Sequence, residues 1–361
     1  MKIKLSTLIK TRSIGLFGLL FTIGCANIIP PTGGEKDKKS PEIEFVYLEK
    51  SGTDGVNKIT FEFNERVVIN SWDKYFYTSP HIKKITQKVK GKSLLLEIED
   101  TIQKNTKYTI SLSNCIKDLT EGNISDSLTY SFSLEPSKDT LFLNGRLIDS
   151  YSLKPIQNAW VLLYDYNTHD SLILKTEPNY ISKTNLEGRF FFNNLSGLNQ
   201  KIAAISGQKK IYSKTEKIAF NLNPSLDSVN EFILLYGFNE DCDSDTSVIL
   251  SDSLKTNQKK GGFGKIKINS NEFFSSVVFQ FLQGEKIISE FFFEAPPYNI
   301  KDVAPGEYTL RCIEDQNNNK LWDCGNWENK INAEKVTEHA EKIIIRANWD
   351  LEIDWKNQSF R

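Results

Sequence analysis

The sequence predicts an all-β protein built from tandem antiparallel β-sandwiches, and three observations predict it. The chain has 361 residues, which is enough for two or three domains. It contains 23 Phe and 13 Tyr but only one Met, and such residues suit pleated, half-buried surfaces. Short runs of alternating apolar and polar residues recur with turn residues between them, which is typical of sandwich strands.

The charge and hydrophobicity of the chain exclude some classes of protein. Hydrophobic residues make up 39% of the sequence, enough for ordinary cores, which argues against disorder. There are 45 Lys and Arg against 46 Asp and Glu. Because this balance creates no strong positive field, we expect no nucleic-acid partner.

The first 24 residues have the organisation of a signal peptide. Basic residues precede a short apolar run at residues 14–21, well below the roughly 20 residues that a membrane span needs. The sequence Thr-Ile-Gly-Cys at residues 22–25 resembles the lipobox of bacterial lipoproteins, with Thr22 where Leu is commoner. The resemblance implies cleavage before Cys25 and acylation of its thiol, for example with palmitate. The alternative is an ordinary signal peptide followed by an incidental cysteine.

Residues 25–40 follow as a lipidated tether. They are rich in Pro, Gly and charge without apolar periodicity, which predicts a solvated segment. By analogy with Gram-negative sorting, Ala26 rather than Asp after the cysteine indicates the outer membrane. We therefore expect a cell-envelope protein whose lipid anchor makes the membrane a partner, with domains facing either the periplasm or the cell surface.

Residues 41–136 are expected to form the first sandwich. Ile59, Phe61 and Phe63 alternate with polar residues, and the segments 108–112 and 130–134 repeat this period. Three stretches resemble SbsA-type bacterial Ig-like domains: ITFEFNERV at 59–67, NTKYTI at 105–110 and DLTEGN at 118–123. The last stretch has one residue inserted in the usual Asp-x-x-Gly-Asn turn. The resemblance implies an Ig-like sandwich over this region.

Residues 138–237 are expected to form a second sandwich. A strand is predicted at 160–165, and the segment 184–190 predicts a hairpin with Gly188 available for a positive φ. The order of these elements resembles the transthyretin-like modules of carboxypeptidase regulatory domains, which implies seven strands and transfers no functional residue. A polar linker is predicted at 238–262.

Residues 263–361 are expected to form the C-terminal sandwich. Phe- and Val-rich strands are predicted at 273–281 and 287–293, and Trp349, Leu351, Ile353 and Trp355 alternate on the closing strand. A turn at residues 305–306 enters a strand that leads into an Asp- and Asn-rich loop. This order resembles the C-terminal module of Ig-like-domain lipoproteins, a resemblance that implies architecture rather than function.

The Asp- and Asn-rich loop has the spacing of a calcium loop. Lys320 replaces the Gly that such loops favour at position 6, and Asn326 rather than Glu occupies position 12, with Glu328 close by. The alternative is a polar loop whose side chains bond their own backbone. Ca²⁺ is therefore the one cofactor considered. Its ligands at positions 1, 3, 5, 7 and 9 would be Asp315, Asn317, Asn319, the Leu321 carbonyl and Asp323.

Cysteine and tryptophan residues flank the same loop. A disulfide between Cys312 and Cys324 would close about a dozen residues and contribute about 3 kcal/mol. The alternative is two separate thiols packed as small hydrophobes. Trp322 and Trp327, if exposed, could form a platform for a sugar ring, and the alternative is that they anchor the loop or the core.

No catalytic motif is present in the sequence. The chain has three His and lacks His-Glu-x-x-His, Gly-x-Ser-x-Gly and Cys-x-x-Cys. We therefore expect a non-enzymatic envelope lipoprotein that acts as a structural or interaction module with a protein or glycan ligand. The alternative is a carbohydrate-binding lipoprotein of a glycan-uptake system, and an enzyme with an unfamiliar site is a third hypothesis.

Overall fold

Strands dominate the computed structural model, which describes residues 35–49, 57–135, 141–197, 199–207, 216–222, 232–239, 262–270 and 276–357. Strands take up 54% and helices 3% of these residues, which confirms the all-β prediction. The described residues from Lys39 onward belong to one compact unit. Within the described ranges no helix has the length and apolarity needed to cross a membrane. The predicted signal peptide, Cys25 and most of the predicted linker lie outside the described residues.

The first group of elements surrounds one core. Its members are β1 (Ile43–Glu49), β2 (Asn57–Phe63), β3 (Val67–Ile69), α1 (Trp72–Tyr75), β4 (Tyr77–Ser79), β5 (Ile85–Lys90), β6 (Ser93–Ile98), β7 (Tyr108–Ser111), β8 (Ile116–Asp118) and β9 (Thr129–Phe132). They form antiparallel sheets ordered β1-β2-β6-β5, β3-β8 and β4-β7-β9. Ile59, Phe61 and Phe63 are at most 1% exposed, and Leu94 pairs with Phe61 across β2 and β6. The predicted alternation therefore places these side chains in the core.

The second group forms a seven-stranded sheet that folds over its own core. Its members are β10 (Leu141–Asp149), β11 (Trp160–Asp165), a 3₁₀-helix (Asp170–Leu172), β12 (Tyr180–Lys183), β13 (Arg189–Leu195), β14 (Gln200–Ile205), β15 (Lys217–Asn221) and β16 (Phe232–Asn239). The order is β12-β11-β14-β15-β16-β10-β13, and β10 and β16 run parallel.

The turn at residues 184–190 differs from its prediction. Strand β12 pairs with β11 and β13 pairs with β10, so the turn joins two layers and is not a hairpin. The reason is that Tyr180 before the turn and Phe190 after it both enter the same core. Gly188 has a φ of 74°, so the predicted positive φ is present.

The third group packs a three-stranded sheet on a larger one. Its members are β17 (Gly264–Asn269), β18 (Ser276–Gln283), β19 (Lys286–Phe293), β20 (Tyr298–Val303), β21 (Gly306–Asp315), β22 (Val336–Glu338), β23 (Ile343–Ile345) and β24 (Asp350–Asp354). The orders are β20-β17-β24 and β19-β18-β21-β22, with β23 on β21. Ile353 of β24 and Trp355, which directly follows β24, enter the core, whereas Trp349 precedes β24 and is 60% exposed.

Two apolar junctions connect the three groups. Between the first and second, the rings of Tyr77 and Trp160 meet edge to face with centroids 6.0 Å apart. Between the second and third, a cluster of fully buried side chains crosses from one group to the other. That cluster consists of Ile148 and Leu153 from the second group and Val278, Ile313 and Val336 from the third.

Candidate functional site

The Asp- and Asn-rich loop begins at the buried end of a strand. Asp315 is the last residue of β21, where it pairs with Ser276 of β18, and it is 0% exposed. Its Oδ2 accepts the backbone N–H of Lys320 at 2.8 Å, whereas its Oδ1 has no hydrogen-bond partner. A buried carboxylate oxygen without a donor is unfavourable, so this position is suited to a cation.

The amide side chains of Asn317 and Asn319 wind the loop tightly. Each Oδ1 accepts the backbone N–H two residues ahead, at 2.9 and 2.7 Å. Each Nδ2 donates to Asp323 Oδ2, at 2.7 and 2.8 Å. Asn318 and Lys320 adopt left-handed φ angles of 63° and 67°. The structure thus brings together the polar residues at positions 3, 5 and 9, and Lys320 takes the conformation for which calcium loops use Gly.

Glu334 closes the neck of this loop, and the ligand spacing in the sequence does not include it. Its side chain is 7% exposed, and its two oxygens accept the N–H groups of Gln316 at 2.8 Å and Asp323 at 3.0 Å. Burial raises the pKa of this carboxyl, and the nearby charges of Asp323 and Asp315 raise it further. A fixed ligand spacing could not find Glu334, because a separate turn lies between it and the loop.

The two residues near position 12 of the spacing occupy that separate turn. Asn326 exchanges backbone hydrogen bonds with Ile331 at 2.7 and 2.9 Å, and its Oδ1 accepts the N–H of Asn329. Glu328 is exposed. Neither residue contributes to the polar loop in the structure.

Trp322 and Trp327 are used in packing, which corrects the prediction of an exposed sugar platform. The Trp322 ring lies 5.0 Å from that of Tyr151, between the second and third groups. The Trp327 ring lies 5.2 Å from that of Phe220, and Lys330 Nζ lies 3.2 Å from its centroid. Both tryptophans are half-buried and anchor the third group to the second.

The disulfide considered between Cys312 and Cys324 is absent: both are free thiols. Cys312 is 0% exposed because β21 directs it into the core, opposite Phe279 of β18. Cys324 is half-buried in the loop that leaves this strand. Burial raises the pKa of Cys312 well above its usual value and raises that of Cys115, in the first core, to about 12.

One group of three acidic side chains in the described part of the chain has oxygens within 4.8 Å of one another: Glu65, Asp118 and Glu121. Burial opposes ionisation of Asp118, but backbone N–H groups outweigh it and hold its pKa below the usual value. Those donors are Glu121, Gly122 and Asn123, at 2.6 to 2.8 Å. The carboxylate therefore organises the turn after β8, which accounts for the cluster without a ligand.

The three histidines occupy unrelated places. His81 is partly buried, and this burial lowers its pKa. His169 caps the 3₁₀-helix, where its Nδ1 lies 2.8 Å from Ser171 Oγ. His339 packs its ring 5.6 Å from that of Trp355. The His169–Ser171 contact is within hydrogen-bond reach, but it is exposed, and the same Nδ1 accepts the Ser171 backbone N–H at 3.3 Å as part of the helix cap.

A lysine lies in the junction between the first and second groups, which the sequence did not indicate. Lys183 Nζ lies 4.2 Å from the ring centroid of Trp160 and 4.8 Å from that of Tyr75, and it donates to the Lys74 carbonyl. Burial lowers its pKa to about 8, with a further contribution from the Lys74 charge. The lysine lines an open groove of about 450 Å³ between the two groups.

Comparison with known proteins gives a family match for the first group of strands. Residues 37–134 match the family model of the bacterial Ig-like domain, which confirms the resemblance there. No curated protein matches the chain. The resemblance of residues 138–237 to transthyretin-like modules stays a prediction.

Two solved structures share distant similarity with the chain. The Bacillus anthracis TIE protein is 10% identical over 87% of this chain and 58% of that one, with a TM-score of 0.18. The chain thus spans 58% of that protein's length. Native alpha-2-macroglobulin from Escherichia coli, spanning domains MG0-NIE-MG1, is 8% identical over 75% of this chain and 93% of that one, with a TM-score of 0.22. At these TM-scores the matches say nothing about function.

Proposed function

We propose, from the bacterial Ig-like domain at residues 37–134, that the chain is a lipid-anchored, non-enzymatic module of the cell envelope. In this proposal Cys25 carries the lipid, residues 25–40 form the tether, and the sandwiches hold a protein-binding surface away from the outer membrane. Several acyl chains on one cysteine make such an attachment durable. The match of residues 37–134 to the bacterial Ig-like domain carries the proposal of a module, and the lipobox-like sequence at residues 22–25 supports the anchor.

The junctions favour a stiff stalk over independently moving domains. Domains within one chain move relative to each other by default unless the interface is large and apolar. Here the junctions contain side chains that are nearly inaccessible to solvent: Trp160 is 2% exposed, Ile148 is 0% and Val336 is 1%. A backbone hydrogen bond from His81 to the Asn179 carbonyl, at 2.9 Å, adds to the first junction.

The exposed edge strand β1 is the best surface for a protein partner. Phe45 and Tyr47 project from it with 60% and 54% of their surface exposed. The strand lies at the end of its sheet, so one side of its backbone is open to pairing. Exposed aromatic side chains on an open edge are typical of an interaction site. The carbohydrate-binding alternative has lost its candidate platform, because Trp322 and Trp327 are packed.

Substitution of Cys25 tests the anchor. In cells, the wild type should incorporate labelled palmitate and sediment with membranes, and its mature N-terminus should be an acylated Cys25. Cys25→Ser should be soluble and unlabelled, whereas the control Cys324→Ser should behave as the wild type. A Cys25→Ser protein that stays with the membranes after a carbonate wash contradicts the anchor.

Photo-crosslinking in intact cells tests the interaction surface. A benzoyl-phenylalanine residue in place of Phe45 or Tyr47 should give a discrete adduct with one protein. The control position is Leu186, which is 73% exposed on the second group. If adducts are absent at β1, or equally strong at Leu186, the edge strand is not the binding surface.

A further inference from the structure

The carboxyl group of Asp315 is buried, and only one of its two oxygens has a hydrogen-bond donor. Oδ2 bonds the N–H of Lys320 five residues ahead, so the carboxylate is directed into the loop, and Oδ1 has no donor. The lysines close to Asp315 in sequence contact other groups. Lys320 Nζ lies 5.1 Å from the ring of Phe292, and Lys335 pairs with Glu314 at 2.7 Å. The loop therefore lacks a basic partner among the neighbouring lysines that the structure describes.

Further oxygen donors lie in the same loop and at its neck, although the carboxylates of Asp315, Asp323 and Glu334 do not all lie within 4.8 Å of one another in the structure. Asp323 adds a second carboxylate, Glu334 adds a third at the loop neck, and the Asn317 and Asn319 amide oxygens each keep a second lone pair. Carboxylate and amide oxygens on a flexible loop suit Ca²⁺, which takes six to eight ligands in adaptable geometry. Mg²⁺ demands a near-octahedral site and keeps its waters, so it fits this loop less well.

We propose that the loop from Asp315 to Asp323 binds one Ca²⁺ ion and that the bound ion locks the third group of strands onto the second. Asp315 Oδ1 is the anchoring ligand. The amides of Asn317 and Asn319, which now donate to Asp323 Oδ2, turn to present their oxygens, and Asp323 is released to bind the ion. This proposal is independent of the lipid anchor and of the partner surface on β1.

The residues at the end of the loop and just beyond it contact the second group of strands, and these contacts are the reason to expect that the ion fixes the third group on the second. Trp322, near the end of the loop, packs on Tyr151 of the second group, and Trp327, just beyond the loop, packs on Phe220 of the same group. Between them Gly325 approaches Phe238 so closely that an added Cβ would lie 2.5 Å from the Phe238 ring. An ion that fixes the loop also fixes the segment that carries these contacts. Calcium and the junction should therefore stabilise each other.

Terbium luminescence tests the site on the full-length chain in detergent. Tb³⁺ is a hard ion that substitutes for Ca²⁺, and Trp322 inside the loop is placed to sensitise its emission. We expect green emission on tryptophan excitation that Ca²⁺ displaces with a midpoint of about 10⁻⁴–10⁻³ M. Asp315→Asn keeps the Lys320 hydrogen bond but removes the charge, and it should reduce the emission at least tenfold. Asp323→Asn, at a less buried position, should act in the same direction.

Two control variants separate this loop from other acidic sites. Glu121→Gln alters the Glu65–Asp118–Glu121 cluster, and Asp350→Asn removes a carboxylate that is 79% exposed in the third group. Both should retain the emission and its displacement. Emission that survives Asp315→Asn and Asp323→Asn but disappears with Glu121→Gln overturns the proposal, as does a wild type that gives no displaceable emission.

Hydrogen exchange tests the lock. Five millimolar Ca²⁺ should slow exchange in the segment 322–334 and in the facing residues 149–153, and should raise the melting temperature by roughly 2–8 °C. Asp315→Asn should show neither effect, and Asp350→Asn should show both. Binding without protection of residues 149–153 refutes the lock while leaving the metal site intact.

Discussion

The ammonium group of Lys183 lies 4.2 Å from the ring centroid of Trp160, at the junction of the first two groups of strands. The ring face attracts the ammonium ion, whereas removal from water disfavours its charged form. Removal from water has the larger effect, and the pKa of Lys183 is lowered to about 8. Below pH 8 Lys183 is therefore protonated, although its burial in the junction makes the charged form less favourable than it is in water.

Stability should rise with pH because of this lysine. The pKa is about 8 in the folded chain against 10.5 for an ordinary lysine. Between these values the unfolded state binds more protons, so raising the pH favours folding, by at most about 1.4 kcal/mol per pH unit from this group. Below pH 8 both states are protonated and the unfavourable desolvation is fully present. Urea unfolding of wild type and Lys183→Met at pH 7.5 and 9.5 measures the difference.

The Lys183→Met variant should lack this contribution while keeping the side-chain length. The difference in unfolding free energy between wild type and variant should therefore shift in favour of the wild type as the pH rises. Lys90→Met, at an exposed site in the first group, is the control and should leave the pH dependence unchanged. Equal slopes for wild type and Lys183→Met would show that the junction does not perturb the lysine.

The half-buried thiol of Cys324 should react faster than the buried thiols of Cys115 and Cys312. The raised pKa values of Cys115 and Cys312 leave almost no thiolate at pH 8, whereas Cys324 is half-buried. Among the three cysteines that the structure describes, iodoacetamide applied to the native protein should label Cys324 first, and Cys115 and Cys312 only after denaturation. Peptide mass spectrometry without reductant reads each site. Recovery of a Cys312–Cys324 crosslinked peptide would contradict the structure.

The sequence could predict the strands because their period is local. The alternation of Ile59, Phe61 and Phe63 with polar residues requires one buried face, and the structure buries it. The local alternation of residues could not predict that the chain changes layer at the 184–190 turn. A turn signal is the same whether the next strand pairs with the previous one or crosses to another layer, and the position of Phe190 in the shared core decides between them.

The loop from Asp315 to Asp323 could likewise be predicted from the sequence only where its contacts are local. The spacing of Asp315, Asn317 and Asn319 predicted that their side chains converge, because the ligands lie within one short segment. Glu334 reaches the loop only through the return of the chain to β22, and no local pattern encodes that return. The roles of Trp322 and Trp327 also depend on a neighbouring group of strands, which sequence spacing does not reveal.

Loss of the Trp327 ring should weaken the second junction. The ring contacts Phe220 and carries Lys330 over its face, so Trp327→Ala removes apolar contacts from a half-buried site. We expect destabilisation of about 2–3 kcal/mol, near the low end for large-to-small substitutions. Trp349→Ala is the matched control, since Trp349 is 60% exposed, and should change stability by less than about 0.5 kcal/mol. Similar losses for both variants in urea unfolding would argue against an anchoring role for Trp327.

Alanine at Gly188 should be far more harmful than alanine at Gly284. Both glycines have a positive φ, 74° and 63°, so both variants carry the left-handed strain of about 1–2 kcal/mol. At Gly284 an added Cβ meets nothing within 4 Å, but at Gly188 it lies 2.4 Å from the Leu147 carbonyl oxygen. The neighbouring strand cannot withdraw easily, because Leu147 N donates to the Gly188 carbonyl at 2.8 Å.

The expected result is therefore a loss of about 1–2 kcal/mol for Gly284→Ala and at least about 2 kcal/mol more for Gly188→Ala. Urea unfolding of the two variants measures both values, and the spectrum of each variant before unfolding establishes that it is folded. Since the strain is shared, the excess at Gly188 reports its close contacts, of which the Leu147 carbonyl oxygen is much the nearest and Pro155 Cβ, at 3.2 Å, is the next. Equal losses would mean that the turn between β12 and β13 moves away from Leu147, and the close approach of the two layers would then be wrong.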